Sequence, residues 1–292
     1  MRGIDHLVHC VRHLEAARTR YSAMGFTLTP KALHPFGTSN SLIQLADKSF
    51  LEPLAVEDAS LIPKPKKGFF SFADYNRRFI EDGPGEGLSM LVLDSVDSKA
   101  DHKEYSKAGL DPYQHFGFKR LARLPSGEDV EVQFSMAFVT HTDMPRAAFF
   151  TCQQHHVPEL FWKKDYQTHA NTTQGMAETI MLANDPQKYA EFYSKLVGAR
   201  VVEMSKGLMR VETARGSISV MSIGEWSRHF PASFAPDLPE GPRLAAFRLH
   251  TANLDVAAEC LRAGNVPYIR EGRDLVIAPD EALGVMVILS AA

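Results

Sequence analysis

Two short stretches near the N-terminus carry polar side chains where a strand would normally bury hydrocarbon. In GIDHLVHCV, residues 3–11, strict alternation puts Ile4, His6, Val8 and Cys10 on one face and Asp5, Leu7, His9 and Val11 on the other. In SFLEPLAV, residues 49–56, the face carrying Phe50 and Leu54 also carries Glu52. An isolated carboxylate on such a face costs several kcal/mol unless it is paired, protonated or bound to metal. A lone imidazole there is ordinarily a core histidine satisfied by one hydrogen bond. An imidazole and a carboxylate on two strands of one unit are a stronger signal. They point to a divalent metal site, or to a metal-free cavity in which the two hydrogen-bond each other.

Other stretches could complete such a site. HPFGTSN (34–40) places a turn at Pro35 and Gly37, and offers His34, Thr38 and Asn40 as donors and acceptors at a cavity edge. Arg120 and Arg123, in KRLARLP, have the fork geometry that grips a substrate carboxylate, although solvation is the commoner fate of such arginines. AFFTCQQHH brings Cys152, Gln154, His155 and His156 close together, but a one-residue slip in register would swap their faces. Between Trp162 and Asn171, His169 could act as an acid or base, with a free imidazole pKa near ~6.5, or could simply pack.

The rest of the chain must position these groups. At 292 residues it is long enough for about two domains of ~150 residues. A hydrophobic content of 45% with 23% charged residues is that of a globular protein with a sizeable core. A formal charge of −3 gives no electrostatic case for nucleic acid or an anionic membrane, and the basic run PKPKKG reads as a solvated loop. Cys10, Cys152 and Cys260 are far apart and in no CxxC pattern, which fits a reducing compartment. With no leader-like opening and no long apolar run, a cytoplasmic location and a small-molecule substrate are expected.

A pattern recurs along the chain. GIDHLVHCV, GLSMLVLDS, GMAETIMLA and RLAAFRLHT each precede a helix-like run, then a glycine, then short strand-like runs. Aligning these first strands superposes His6, Met90, Glu178 and Ala246, which stand 19, 19, 20 and 18 residues before Gly25, Gly109, Gly198 and Gly264. Such glycines suit helix ends that turn into the left-handed region. The expected fold is α+β, with four βαβββ modules that pair because one module buries only one face of its sheet. The expected domains are 1–160 and 170–292, the second degenerate because Glu178, Ala246, Val220 and Met286 stand where His6 and Glu52 stand in the first.

On the repeat, and on GIDHLVHCV, HPFGTSN, SFLEPLAV, FFTCQQHHVPELFW and QTHANTTQG, the chain resembles the vicinal oxygen chelate superfamily, in its glyoxalase-like branch. The resemblance implies two glyoxalase/bleomycin-resistance-like domains whose sheets curl around a cavity. It implies a divalent ion (Zn, Fe, Mn or Ni) held by His6, Glu52 and a residue of the second module. His155 is preferred there, with Gln154 and Cys152 as alternatives, because Met90 suits such an ion poorly. The implied chemistry is a lyase, isomerase or ring-cleaving dioxygenase step on a small substrate with vicinal oxygens. Glu52, His169 and His34 are candidate acid–base groups, and Asn40, Thr38, Arg120, Gln154 and Cys152 candidate substrate contacts. The alternative is a metal-free binding protein of the bleomycin-resistance type. A homodimer would cover open sheet edges.

Overall fold

The computed structural model describes residues 1–83, 85–238 and 240–291. Its strands form two sheets. The first comprises β1 (Ile4–Cys10), β2 (Ala32–Leu33), β3 (Thr38–Asn40), β4 (Ile43–Gln44), β5 (Phe50–Val56), β6 (Gly87–Asp94), β7 (Phe116–Arg123), β8 (Asp129–Thr140) and β9 (Ala148–Gln154). Their spatial order is β2-β3-β5-β1-β6-β9-β8-β7, with β4 paired to β5. The second sheet comprises β10 (Thr173–Leu182), β11 (Val201–Met204), β12 (Leu208–Glu212), β13 (Ser217–Met221), β14 (Arg243–Thr251), β15 (Ile269–Glu271), β16 (Asp274–Ile277) and β17 (Met286–Ala291). Its order, β11-β12-β13-β10-β14-β17-β16-β15, repeats that of the first.

The joints repeat as well. Within a module the first strand runs parallel to the last, as in β1–β5, β6–β9, β10–β13 and β14–β17. Two modules meet through antiparallel first strands, β1–β6 and β10–β14. The four expected βαβββ modules are therefore present. The first sheet curls until β2 approaches β7, and so wraps its own inner face.

The α-helices are α1 (Leu14–Ala23), α2 (Phe72–Glu81), α3 (Ser98–Lys107), the single turn α4 (Pro158–Phe161), α5 (Ala190–Val197), α6 (Ile223–His229) and α7 (Leu254–Ala263). Tyr21 of α1, Tyr105 of α3, Tyr193 of α5 and Leu261 of α7 join residues of both sheets in one core. The inner face of each sheet has a separate apolar cluster, one containing Val8, Phe50, Met90 and Phe150, the other Ile180, Trp226 and Ile288. Asp97 and Asn253 start α3 and α7 by accepting from two backbone N–H groups each.

Three details differ from the sequence expectation. First, Ile4 and Leu7, three apart, both face the helical core, while His6 and Val8 face inward. A β-bulge between Ile4 and His6, in the pairing with β6, absorbs one residue and resets the alternation. Second, β7 and α2 are regular elements that the repeat pattern did not distinguish. Third, Gly25, Gly109 and Gly198 have φ of +86°, +74° and +72°, but at the end of α7 it is Asn265, φ +52°, that turns left-handed. Gly264 serves another purpose. A Cβ there would lie 1.9 Å from the carbonyl oxygen of Ala23 at the end of α1. The backbones of α1 and α7 thus approach closely where the two halves meet. Gly264→Ala should destabilise the fold by about 1–3 kcal/mol through overpacking, read as a lower urea midpoint. Gly224→Ala, whose Cβ would meet only Ser222 Oγ at 3.9 Å, should leave the midpoint unchanged or raise it.

Candidate active site

The inner face of the first sheet surrounds a cavity of about 480 Å3, mouth included, whose walls carry His6, His34, Asn40, Glu52 and Arg120 among many phenylalanines. β1 and β5 run side by side, with Phe50 opposite His6 and Glu52 opposite Val8. The His6 ring stacks on Phe50 at 4.2 Å and meets the edge of Phe150 at 5.6 Å. Its Nδ1 lies 2.6 Å from Asp5 Oδ2, and its Nε2 lies 3.4 Å from Glu52 Oε2. The bulge makes this possible, because a regular strand would send Asp5 and His6 to opposite faces.

Glu52 is held from its other side. Asn40 Nδ2 donates to Glu52 Oε1 at 2.6 Å and approaches His34 Nε2 at 3.3 Å. His34 Nδ1 bonds Thr38 Oγ1 at 2.8 Å, so Thr38 acts through His34. The turn that delivers these groups needs Gly37, which has φ +92°, and any Cβ there would lie 2.3 Å from the Asp58 carbonyl. Arg120 comes from the opposite wall, on β7, inward between the exposed Lys119 and Leu121.

The charges follow from these contacts. Burial alone would lower the His6 pKa, but hydrogen bonds to Asp5 and Glu52, and their charge, raise it to about 9. Burial alone would raise that of Glu52, but the His6 hydrogen bond and charge, with help from His34 and Asn40, hold it below the carboxylate range. His6 is an imidazolium between two carboxylates. His34 is pushed down to about 3, by burial first, so it is a neutral ring. Burial brings Arg120 down to about 10, against the pull of Glu52, and leaves it cationic at neutral pH.

The remaining candidates lie elsewhere. His155 Nε2 bonds Ser135 Oγ at 2.6 Å, in a polar cluster with Ser98 and His115 rather than in the cavity wall. His169 bridges two backbone groups, accepting from Thr27 N–H at Nδ1 and donating to the Gln44 carbonyl from Nε2, so it packs the connection against the first sheet. Gln154 sits at the half-buried end of β9 outside the wall, and Arg123 pairs with Asp129 on the surface. Cys152 does line the cavity. In the second sheet, Glu178 accepts from Ser219 and Arg248, the latter at 3.2 Å, and is satisfied there.

These donors do not fit a resident divalent ion. Among the described residues, no group of three or more His, Cys, Asp or Glu side chains is arranged to hold a metal. His6 turns Nδ1 to Asp5 and Nε2 to Glu52, which leaves one imidazole and one carboxylate facing the cavity where a divalent ion needs at least three protein ligands. The neighbouring strands of the second module present Met90, Val92 and Phe150, together with the Cys152 thiol. Burial raises that thiol well above its usual range.

The model of the glyoxalase-like domain matches residues 4–197. The chain belongs to this family. No curated protein sequence matches it. Among solved structures, a hypothetical protein from Staphylococcus aureus aligns over 100% of both chains, with a TM-score of 0.70 at 12% identity. A variant of 4-hydroxymandelate synthase from Streptomyces coelicolor aligns over 100% of this chain and 94% of its own, with a TM-score of 0.56 at 10% identity. A fusion of a xylose isomerase-like TIM barrel with 4-hydroxyphenylpyruvate dioxygenase gives a TM-score of 0.52 at 12% identity, over 99% of this chain and 49% of its own. At these identities the likeness is one of fold, and the family hosts its chemistry in individual sites.

Two parts of the site escaped the sequence: Asp5, hidden by strict alternation, and the phenylalanine walls contributed by β7 and β8. Because the folded protein holds the His6 proton more tightly than the unfolded chain does, the stabilisation it provides is complete below about pH 6.5 and drains away as the pH rises through about 9. The stability gap between wild type and His6→Gln, measured by urea unfolding, should therefore narrow across that window. Imidazole 15N shifts should show His6 still doubly protonated at pH 8.

Proposed function

We propose that the cavity of the first sheet is the active site of a lyase- or isomerase-type enzyme that moves a proton on a small organic substrate. Residues 1–160 form the catalytic half in this reading, and 170–292 the supporting half. The observation that carries it is the buried ion pair of His6 and Glu52, 3.4 Å apart at Nε2 and Oε2, on the wall of the aromatic cavity. That separation is long for a charge-assisted hydrogen bond, which closes to about 2.7–2.9 Å. A pair this loosely joined can part, turning Nε2–H of His6 to a substrate oxygen and Oε2 of Glu52 to the adjacent C–H group.

In this mechanism Glu52 takes the proton from carbon, and the electron pair of the C–H bond becomes the enolate. His6 donates its Nε2–H to the oxygen on which negative charge develops, and Asp5 holds the imidazolium in position through Nδ1. Phenylalanine rings exclude water and strengthen each of these interactions. The proton then returns from Glu52 to a different carbon or face, or a leaving group departs. Metal-assisted and ring-cleaving versions of the chemistry need a donor set that these residues do not complete.

Glu52→Gln keeps the shape and the Asn40 contact but removes the base. It should lower turnover by about 10^2–10^4-fold, with ligand binding retained. Proton exchange into D2O, followed by NMR on a bound ligand, is the direct readout. Exchange should be lost in Glu52→Gln and strongly reduced in His6→Gln, and should be indifferent to EDTA. Exchange that stops with EDTA and returns with a divalent ion would move the reading to metal-dependent catalysis.

A further inference from the structure

Arg120 is the least settled polar group in the first half. Its residue is 9% exposed, its guanidinium lies over the Phe134 ring at 5.6 Å, and one terminal nitrogen donates to the carbonyl of Leu121 at 3.0 Å. Among the described residues, Nε has no hydrogen-bond partner. Among the described residues, no carboxylate comes within ion-pair distance of it, although Glu52 stands close enough to influence its charge. Asn40 Oδ1 is likewise buried and unpartnered. An arginine buried without a counter-ion is costly, and its donors are then available to a ligand.

Its location narrows the ligand. A second cleft, lined by Thr29, Gln44, Lys163 and Tyr166, shares Leu42, Arg120 and Phe161 with the inner cavity, so Arg120 stands at the neck between the two. Beyond the neck the walls are rings. Phe36, Phe72, Phe118, Phe134, Phe138 and Phe161 line a space open to flat groups. The neck offers a single guanidinium fork, which matches one planar carboxylate.

We infer that the cavity takes a monocarboxylate with a flat apolar body, its carboxylate received by Arg120 at the neck and its body held among the phenylalanines beside His6 and Glu52. The inference deepens the proton-transfer reading by naming its substrate class. A fork-shaped guanidinium bound to a planar carboxylate through two parallel hydrogen bonds satisfies the idle Nε–H. The amide oxygen of Asn40 is left to accept from a hydroxyl or amide of the same ligand.

Calorimetric titration of the full chain with phenylacetate, phenylacetamide and phenethylamine tests it. Phenylacetate should bind at least about tenfold more tightly than the amide, as a charge-assisted hydrogen bond allows, and the amine should bind least. In Arg120→Met the acid should fall to the level of the amide, and Arg120→Lys should keep only part of the preference. Because Arg120→Met removes a buried unpaired charge, the apo protein should melt no lower than wild type. Equal binding of acid and amide, tighter binding of the amine, no binding of any probe, or a preference untouched in Arg120→Met would each overturn the assignment. A lower melting temperature in Arg120→Met with the acid preference intact would make Arg120 a packing residue. Glu52→Gln should still bind phenylacetate. If wild type binds the acid but no ligand exchanges its proton, the proton-transfer reading fails and the anion site stands.

Discussion

Everything in the first half of the molecule depends on one imidazolium held between two carboxylates inside hydrocarbon. Buried beside Phe50, Glu52 is held ionised chiefly by the hydrogen bond and charge of His6, whose other ring nitrogen rests on Asp5. His6 in turn would be a neutral ring without them, as His9 and His34 are, with pKa values pushed by burial to about 4 and about 3. The three side chains are therefore one electrostatic unit. Its geometry is set by backbone: a bulge that aims Asp5, a parallel β1–β5 pairing that sets Glu52 beside His6, and the Gly37 turn that brings Asn40 and His34 onto the remaining carboxylate oxygen. Such a cluster is poor evidence for stability, since well-packed apolar groups would serve as well. Its position on the wall of an aromatic cavity is what ties it to chemistry.

The pairing of His6 with Glu52 was legible in the sequence because each broke an otherwise apolar strand face, and the repeat of strand, helix and glycine gave the modules. What was not legible has local physical causes. Alternation assumes an unbroken pleat, and the bulge at Asp5 breaks it, so the partner of the histidine appeared to face the wrong way. β7 alternates Phe116, Phe118, Arg120 and Ala122 inward, an alternation the repeat pattern did not pick out although Arg120 itself reads as a substrate contact. His155 failed for the reason that limits all strand arguments, since one residue past the end of β9 its ring leaves for Ser135. At Gly264 the residue type was read for its dihedral freedom, and the structure uses it for the absence of a Cβ.

The two halves show how one topology can be opened or closed by its side chains. In the second sheet Glu178 occupies the position of His6, and Arg248 that of Val92. These two close on each other, and Arg248 also reaches Asp274 at 2.5 Å and Ser290 at 2.7 Å. Every charge in that network has its partner within the protein. Trp226 of α6, fully buried, packs into the same hollow with Phe230. The first sheet does the reverse. Its aromatic rings stand around a space instead of filling it, and Arg120 has no carboxylate within ion-pair distance among the described residues. In one sheet the charges close on each other beneath a buried tryptophan. In the other a guanidinium without an ion pair among the described residues stands at the neck of an aromatic chamber, and the difference lies in a few side chains placed on the same strands.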